Sequence, residues 1–183
     1  MIRLASLIVL SLCTAGCLLQ PIDEADLAPA KVARAQAALD AFRANPELGD
    51  FFAQAAVIGI YPNAVRAGTG FGGAWARGLV FRGDKPIAHG RMLQFSAGAN
   101  VGGQVYRQIL FFKSVAAYEA FRDGLLEFAG QANVAVATLG GASTPSFNGD
   151  VALFTELKGG LLVEASVGAH RYGFAPITSA DAP

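Results

Sequence analysis

Glycine placement constrains this chain more than any other feature. Of the 22 glycines in 183 residues, half fall between Gly59 and Gly103, where they punctuate runs of aromatic and branched residues. Glycine inside a strand marks a bulge, a sharp coil or the close approach of another backbone. Segments of strand length and content are Val57–Tyr61, closed by Pro62, then Ala74–Phe81, Arg91–Ala97 and Gln104–Phe112. An internal repeat runs through them. Phe71-Gly72-Gly73-Ala74-Trp75-Ala76-Arg77-Gly78-Leu79-Val80-Phe81 aligns with Val101-Gly102-Gly103-Gln104-Val105-Tyr106-Arg107-Gln108-Ile109-Leu110-Phe111, a glycine pair preceding an aromatic-Arg strand in each. The expectation is a strongly curved, Gly-rich antiparallel sheet, barrel-like in form.

Helical periodicity flanks this stretch. Val32, Ala35, Leu39 and Phe42 fall on one face of a helix over 31–44 that ends at Asn45-Pro46, and Asn45 can cap a second helix through Glu47, Phe51, Phe52 and Gln54. Val115, Tyr118, Phe121, Leu125 and Phe128 predict a further amphipathic helix over 114–128, with Ser114 as N-cap and Gly130 as its stop. Three more strands are expected at Asn133–Leu139, Val151–Leu157 and Leu161–Gly168, with a loose tail beyond Tyr172. Helices, a block of strands, one inserted helix and more strands do not alternate as βαβ units do, so the class is α+β, N-terminal helices packing on the curved sheet.

The first residues read as a secretory leader. Arg3 precedes an apolar run from Leu4 to Leu12 that is too short to span a bilayer, and the small residues Thr14-Ala15-Gly16 lead to Cys17. That arrangement resembles the lipobox of bacterial lipoproteins, which implies a signal peptide over 1–16, acylation at Cys17 and an acidic tether over 17–29. The domain then occupies 30–175, with a flexible tail over 176–183. Cys13 is the only other cysteine, so the mature chain holds no disulfide. Leu18, not Asp, follows the anchor cysteine, which implies the periplasmic face of the outer membrane.

Charge is balanced, with 14 basic and 14 acidic residues, but it is unevenly spread. Between Tyr61 and Lys113 the bases Arg66, Arg77, Arg82, Lys85, Arg91, Arg107 and Lys113 face Asp84 as the lone acid. Arg77 and Arg107 hold equivalent positions in the repeat and are expected to point the same way, as part of one electropositive face. Phe71, Trp75 and Tyr106 flank the glycines, where an aromatic beside bases can dip into a membrane interface.

Other chemistry finds little support. Gly68-Thr69-Gly70-Phe71-Gly72-Gly73 has the spacing of a dinucleotide cradle, but a strand, not a helix, follows it. His89 and His170 lack ligand-spaced neighbours and read as loop or strand-end residues, so neither a metal site nor a hydrolytic nucleophile is expected. No enzyme, cofactor or nucleic-acid partner is indicated.

Several motifs together resemble the SYLF lipid-binding domain family in its bacterial lipoprotein branch. They are Ile58-Gly59-Ile60-Tyr61-Pro62, Val65-Arg66-Ala67-Gly68, Gly70-Phe71-Gly72-Gly73 through Gly78, Gly98-Ala99-Asn100-Val101-Gly102 with Gln104-Val105, Ala132 to Ala137, and Lys158-Gly159-Gly160-Leu161. Tyr106, where the family commonly has Gly, and a distinctive Arg82 to His89 loop depart from the pattern. The resemblance implies a compact lipid-binding module without catalysis, with Arg66 at the family's basic position. The leading expectation is an anchored envelope protein that binds anionic phospholipid headgroups. The alternatives are a carrier of a small hydrophobe inside the curved sheet and a scaffold for an envelope protein partner.

Overall fold

The computed structural model describes residues 29–123, 135–138, 147 and 149–177. The leader, Cys17 and the tether through residue 28 lie outside these residues, as do Leu125, Phe128, Gly130 and positions 178–183, whereas Pro29 opens the first helix. In chain order the elements are α1 (Pro29–Arg43), a 3-10 turn (Pro46–Leu48), α2 (Gly49–Gln54), β1 (Val57–Arg82), β2 (Lys85–Phe112), α3 (Val115–Arg122), β3 (Ala135–Thr138) and β4 (Val151–Pro176). The class is α+β, with one sheet of strand order β1-β2-β4-β3.

The short expected strands are parts of three long ones. β1, β2 and β4 hold 26, 28 and 26 residues. At roughly 3.3 Å per residue each would reach about 85 Å if straight, well beyond the diameter of a domain this size. The strands therefore bend in their glycine-rich middles. Pro62 does not end the first segment, because the ladder steps over it with a register shift between Tyr61 and Ala64. Further shifts fall at Thr69/Phe71 and Val80/Phe81 between β1 and β2, and opposite Val105/Tyr106 between β2 and β4. Each such irregularity raises local twist and bends its strand. Gly159-Gly160 does not divide β4, and the expected loose tail instead pairs with β2 as far as Pro176. Ile177 then donates from its backbone to the Ile87 carbonyl, 2.9 Å away.

The Arg82 to His89 segment is a two-residue hairpin rather than a long loop. Arg82 pairs with Lys85, and Gly83 takes φ 60° between them, a left-handed conformation open to glycine. β3 runs parallel to β4, so the sheet is mixed, not wholly antiparallel.

Bending brings the two ends of β1 together. A Cβ on Gly78 would collide with the Ile60 carbonyl oxygen and lie 2.8 Å from Tyr61 Cδ1, while one on Gly90 would lie 2.7 Å from the Tyr61 hydroxyl. Only glycine permits that seam. No ladder joins the two arms of β1 across it among the described pairs, so the sheet coils without closing into a barrel.

Alternation then sorts side chains to two faces. Tyr61, Ala64, Ala74, Ala76, Val80, Ala88, Met92, Tyr106, Leu110 and Phe112 are buried inside the coil. α3 covers one end of it, with Tyr118 and Phe121 stacked edge-on against Phe112 at 5.5 and 5.2 Å. Ser114 caps α3 as expected, its hydroxyl accepting from the Ala117 amide at 3.0 Å. On the outer face α1 lays Ala35, Ala38, Leu39 and Phe42 against Ile60, Leu79, Phe81, Ile109, Phe111 and Phe154, which covers the seam. Asn45 caps the 3-10 turn through the Glu47 amide at 3.0 Å, and α2 follows, with Phe51 packed on Phe154.

Candidate functional site

The outer face of the second β1 arm carries the aromatic and basic residues in adjacent rows. Gly73 pairs with Phe95, Trp75 with Leu93, and Arg77 with Arg91 across β1 and β2. Across β2 and β4, Leu93 pairs with Arg171 and Arg91 with Gly173. Side chains directly opposite in a ladder share a face, as do those two residues apart. Phe71, Phe95 and Trp75 therefore share one face toward the glycine bend, with Arg171 level with Trp75 across the sheet and Arg77 and Arg91 directly behind. Phe71 is 81% exposed, Phe95 68% and Trp75 45%, which is unusual for large apolar side chains. Gly173 lets the Arg91 guanidinium lie across β4, its Nη2 3.8 Å from where a Cβ would stand.

Next to this face, where α1 crosses the seam, is a cleft of about 280 Å³. Lys31, Arg34 and Ala35 of α1 form one wall, Pro62 and Asn63 the second, and Trp75, Arg77, Gly78, Leu79, His89 and Gly90 the third. Among the described lining residues three are cationic, one is a histidine and none is acidic. Lys158 adds another positive charge nearby, its ammonium donating to Asn63 Oδ1 at 2.8 Å. His89 is 5% exposed inside β2, and His170 lies within β4, so neither is the loop or strand-end residue expected.

The expected basic set is dispersed. Arg77 and Arg91 remain together beside Trp75 and Phe71. Arg107 occupies the matching outer position of the other arm but is clamped, its Nε and Nη2 donating to Glu156 at 2.9 and 2.5 Å with the guanidinium over the Phe42 ring. Arg66 alternates onto the inner face with Ala64, opposite Gln104. Arg82 and Lys85 flank the hairpin turn. Lys113 sits beyond the far end of β2, 4.6 Å above the Phe147 ring. Tyr106 is buried in the core, not at the aromatic face. The glycine run at 68–73 is interior to β1, with no helix after it.

Phe95, Arg171, Lys31 and Arg34 had no place in the sequence-based set. Phe95 was legible from alternation, since it stands two residues from Leu93 in a segment already read as strand. Arg171 and the α1 pair reach the site only through strand pairing and helix docking.

No family model matches the chain. A region of 86 residues, 46% of this chain, is 29% identical to beta cell expansion factor A of Aeromonas veronii. The match spans 33% of that protein's length. Among the described residues no helix is long and apolar enough to cross a membrane.

Proposed function

We propose that this is a noncatalytic protein of the bacterial cell envelope, acyl-anchored at Cys17 on the periplasmic side of the outer membrane, whose bent sheet contacts anionic phospholipid. The observation that carries the reading is one outer face holding exposed Phe71, Phe95 and Trp75 beside Arg77, Arg91 and Arg171. Aromatic rings suit the boundary between headgroups and acyl chains, while guanidinium groups beside them suit phosphate oxygens. Each base near an anionic surface contributes about 1 kcal/mol, less when salt screens it. The resemblance of the glycine segments to the SYLF lipid-binding family supports the same assignment. A carrier would need space inside the coil, and there Tyr61, Phe112, Phe121 and Tyr172 pack on one another and their neighbours.

Co-sedimentation tests the proposal, using protein that starts at Leu18 so that the anchor cannot contribute. Binding is expected to anionic but not neutral vesicles, to fall with salt, and to disappear on replacing Arg77 and Arg91 together by Glu. Absence of binding to anionic vesicles at low salt overturns it.

A further inference from the structure

The cleft between α1 and the seam is a more selective feature than the exposed face beside it. We infer that it is a binding site for a single phosphate group, carried by a lipid headgroup or by a small soluble phosphate. The inference rests on the surface reading above for the source of the phosphate, but not for its chemistry.

Lys31 and Arg34 come from α1, Arg77 from β1 and His89 from β2, so four nitrogen-bearing side chains from three elements meet around one space. Among the described lining residues none carries a carboxylate, and the field of those residues favours an anion. A guanidinium presents two parallel donors to a phosphate, and a lysine adds a compact charge. The floor is Gly78 and Gly90, the same glycines that allow the seam, so a ligand can approach the backbone there without meeting a Cβ. Trp75 forms an apolar side wall, which suits the glycerol or other carbon portion of a phosphomonoester. The volume of about 280 Å³ lies near the lower end of small-molecule sites, enough for a headgroup but not for an acyl chain.

Trp75 is the chain's only tryptophan and stands at both the cleft and the exposed face, so its emission reports binding at either and the α1 substitutions tell the two apart. The complete chain in a neutral detergent is titrated with inorganic phosphate, with glycerol 3-phosphate and with a short-chain anionic phospholipid, followed by Trp75 emission and by calorimetry. Saturable binding with a Kd of about 1 mM or tighter is expected for at least one probe. Arg34→Ala with Lys31→Ala is expected to weaken it at least tenfold, while Gly49→Ala, away from both the cleft and the exposed face, leaves it unchanged. Binding of the soluble phosphates identifies a free ligand, and binding of the lipid alone identifies a headgroup. No heat and no emission change with any probe up to about 10 mM overturns the inference. So does binding that survives the double α1 substitution, because the anion then sits elsewhere. If phosphate binds in the cleft but the chain from Leu18 fails to sediment with anionic vesicles, the surface reading falls and the cleft stands. If vesicles bind while no phosphate probe does, the reverse holds.

Discussion

Gly78 abuts the Ile60 carbonyl from within the same strand, eighteen positions away, so β1 turns back until its own two arms touch. Any side chain at position 78 meets backbone, which cannot swing aside as a flexible side chain could. Gly78→Ala is therefore expected to lower stability by at least about 3 kcal/mol, or to prevent folding, in a thermal or denaturant melt. Gly49→Ala is the matched control. Nothing lies within 4 Å of a Cβ there, and its backbone φ of −52° is one that alanine adopts, so stability is expected to hold or rise by about 0.5 kcal/mol.

Tyr61 is buried with a hydroxyl that has no hydrogen-bond partner among the described residues. Tyr61→Phe removes the polar atom and keeps the ring, so unfolding free energy is expected to stay level or increase by about 1 kcal/mol.

The same burial sets a limit at high pH. Desolvation holds the Tyr61 and Tyr172 hydroxyls well above the ordinary tyrosine range, so both stay protonated in the fold. Unfolded tyrosine ionises near pH 10, and above that value the unfolded chain binds fewer protons than the folded one, so stability falls as pH rises. Below about pH 9 these groups add no slope, and above pH 10 each adds up to about 1.4 kcal/mol per pH unit of loss. The pH dependence of urea midpoints checks this, and Tyr61→Phe is expected to flatten the alkaline limb. Tyr172→Phe flattens it too, but also removes the hydroxyl that donates to Gln108 Oε1 at 2.8 Å.

Arg107 and Arg77 separate structure from binding. Arg107 is clamped by Glu156 and stacked on Phe42, so Arg107→Ala is expected to lower stability by about 1 to 3 kcal/mol while leaving vesicle binding intact. Arg107→Lys keeps the charge but loses the two-pronged geometry, and recovers part of the stability. Arg77→Ala is expected to do the opposite, weakening vesicle binding with stability within about 0.5 kcal/mol of the original.

Removing the cap of α3 offers a local test. Ser114→Ala leaves the Ala117 amide without its acceptor and is expected to lower stability by about 1 kcal/mol, with Ser114→Asp retaining most of it.

Local chemistry by itself determined the apolar stripe of α1, the Asn45 and Ser114 caps, the β character of the glycine tract and its excess of positive charge. These follow from periodicity, capping preference and composition, all properties of neighbours in the chain. Only tertiary structure decided that Pro62 and Gly159-Gly160 interrupt nothing, because a strand continues wherever its partner offers a ladder, and bulges absorb the misfit. Only tertiary structure decided the fate of the paired repeat arginines. Arg107 lies opposite Glu156, forty-nine residues away, and Arg77 opposite Arg91. The cleft belongs to the same class: Lys31 and Gly90 line one space only because β1 coils through its glycines and α1 docks across the seam. Alternation says which residues share a face, but not which faces meet, and that depends on how far each glycine lets the backbone bend.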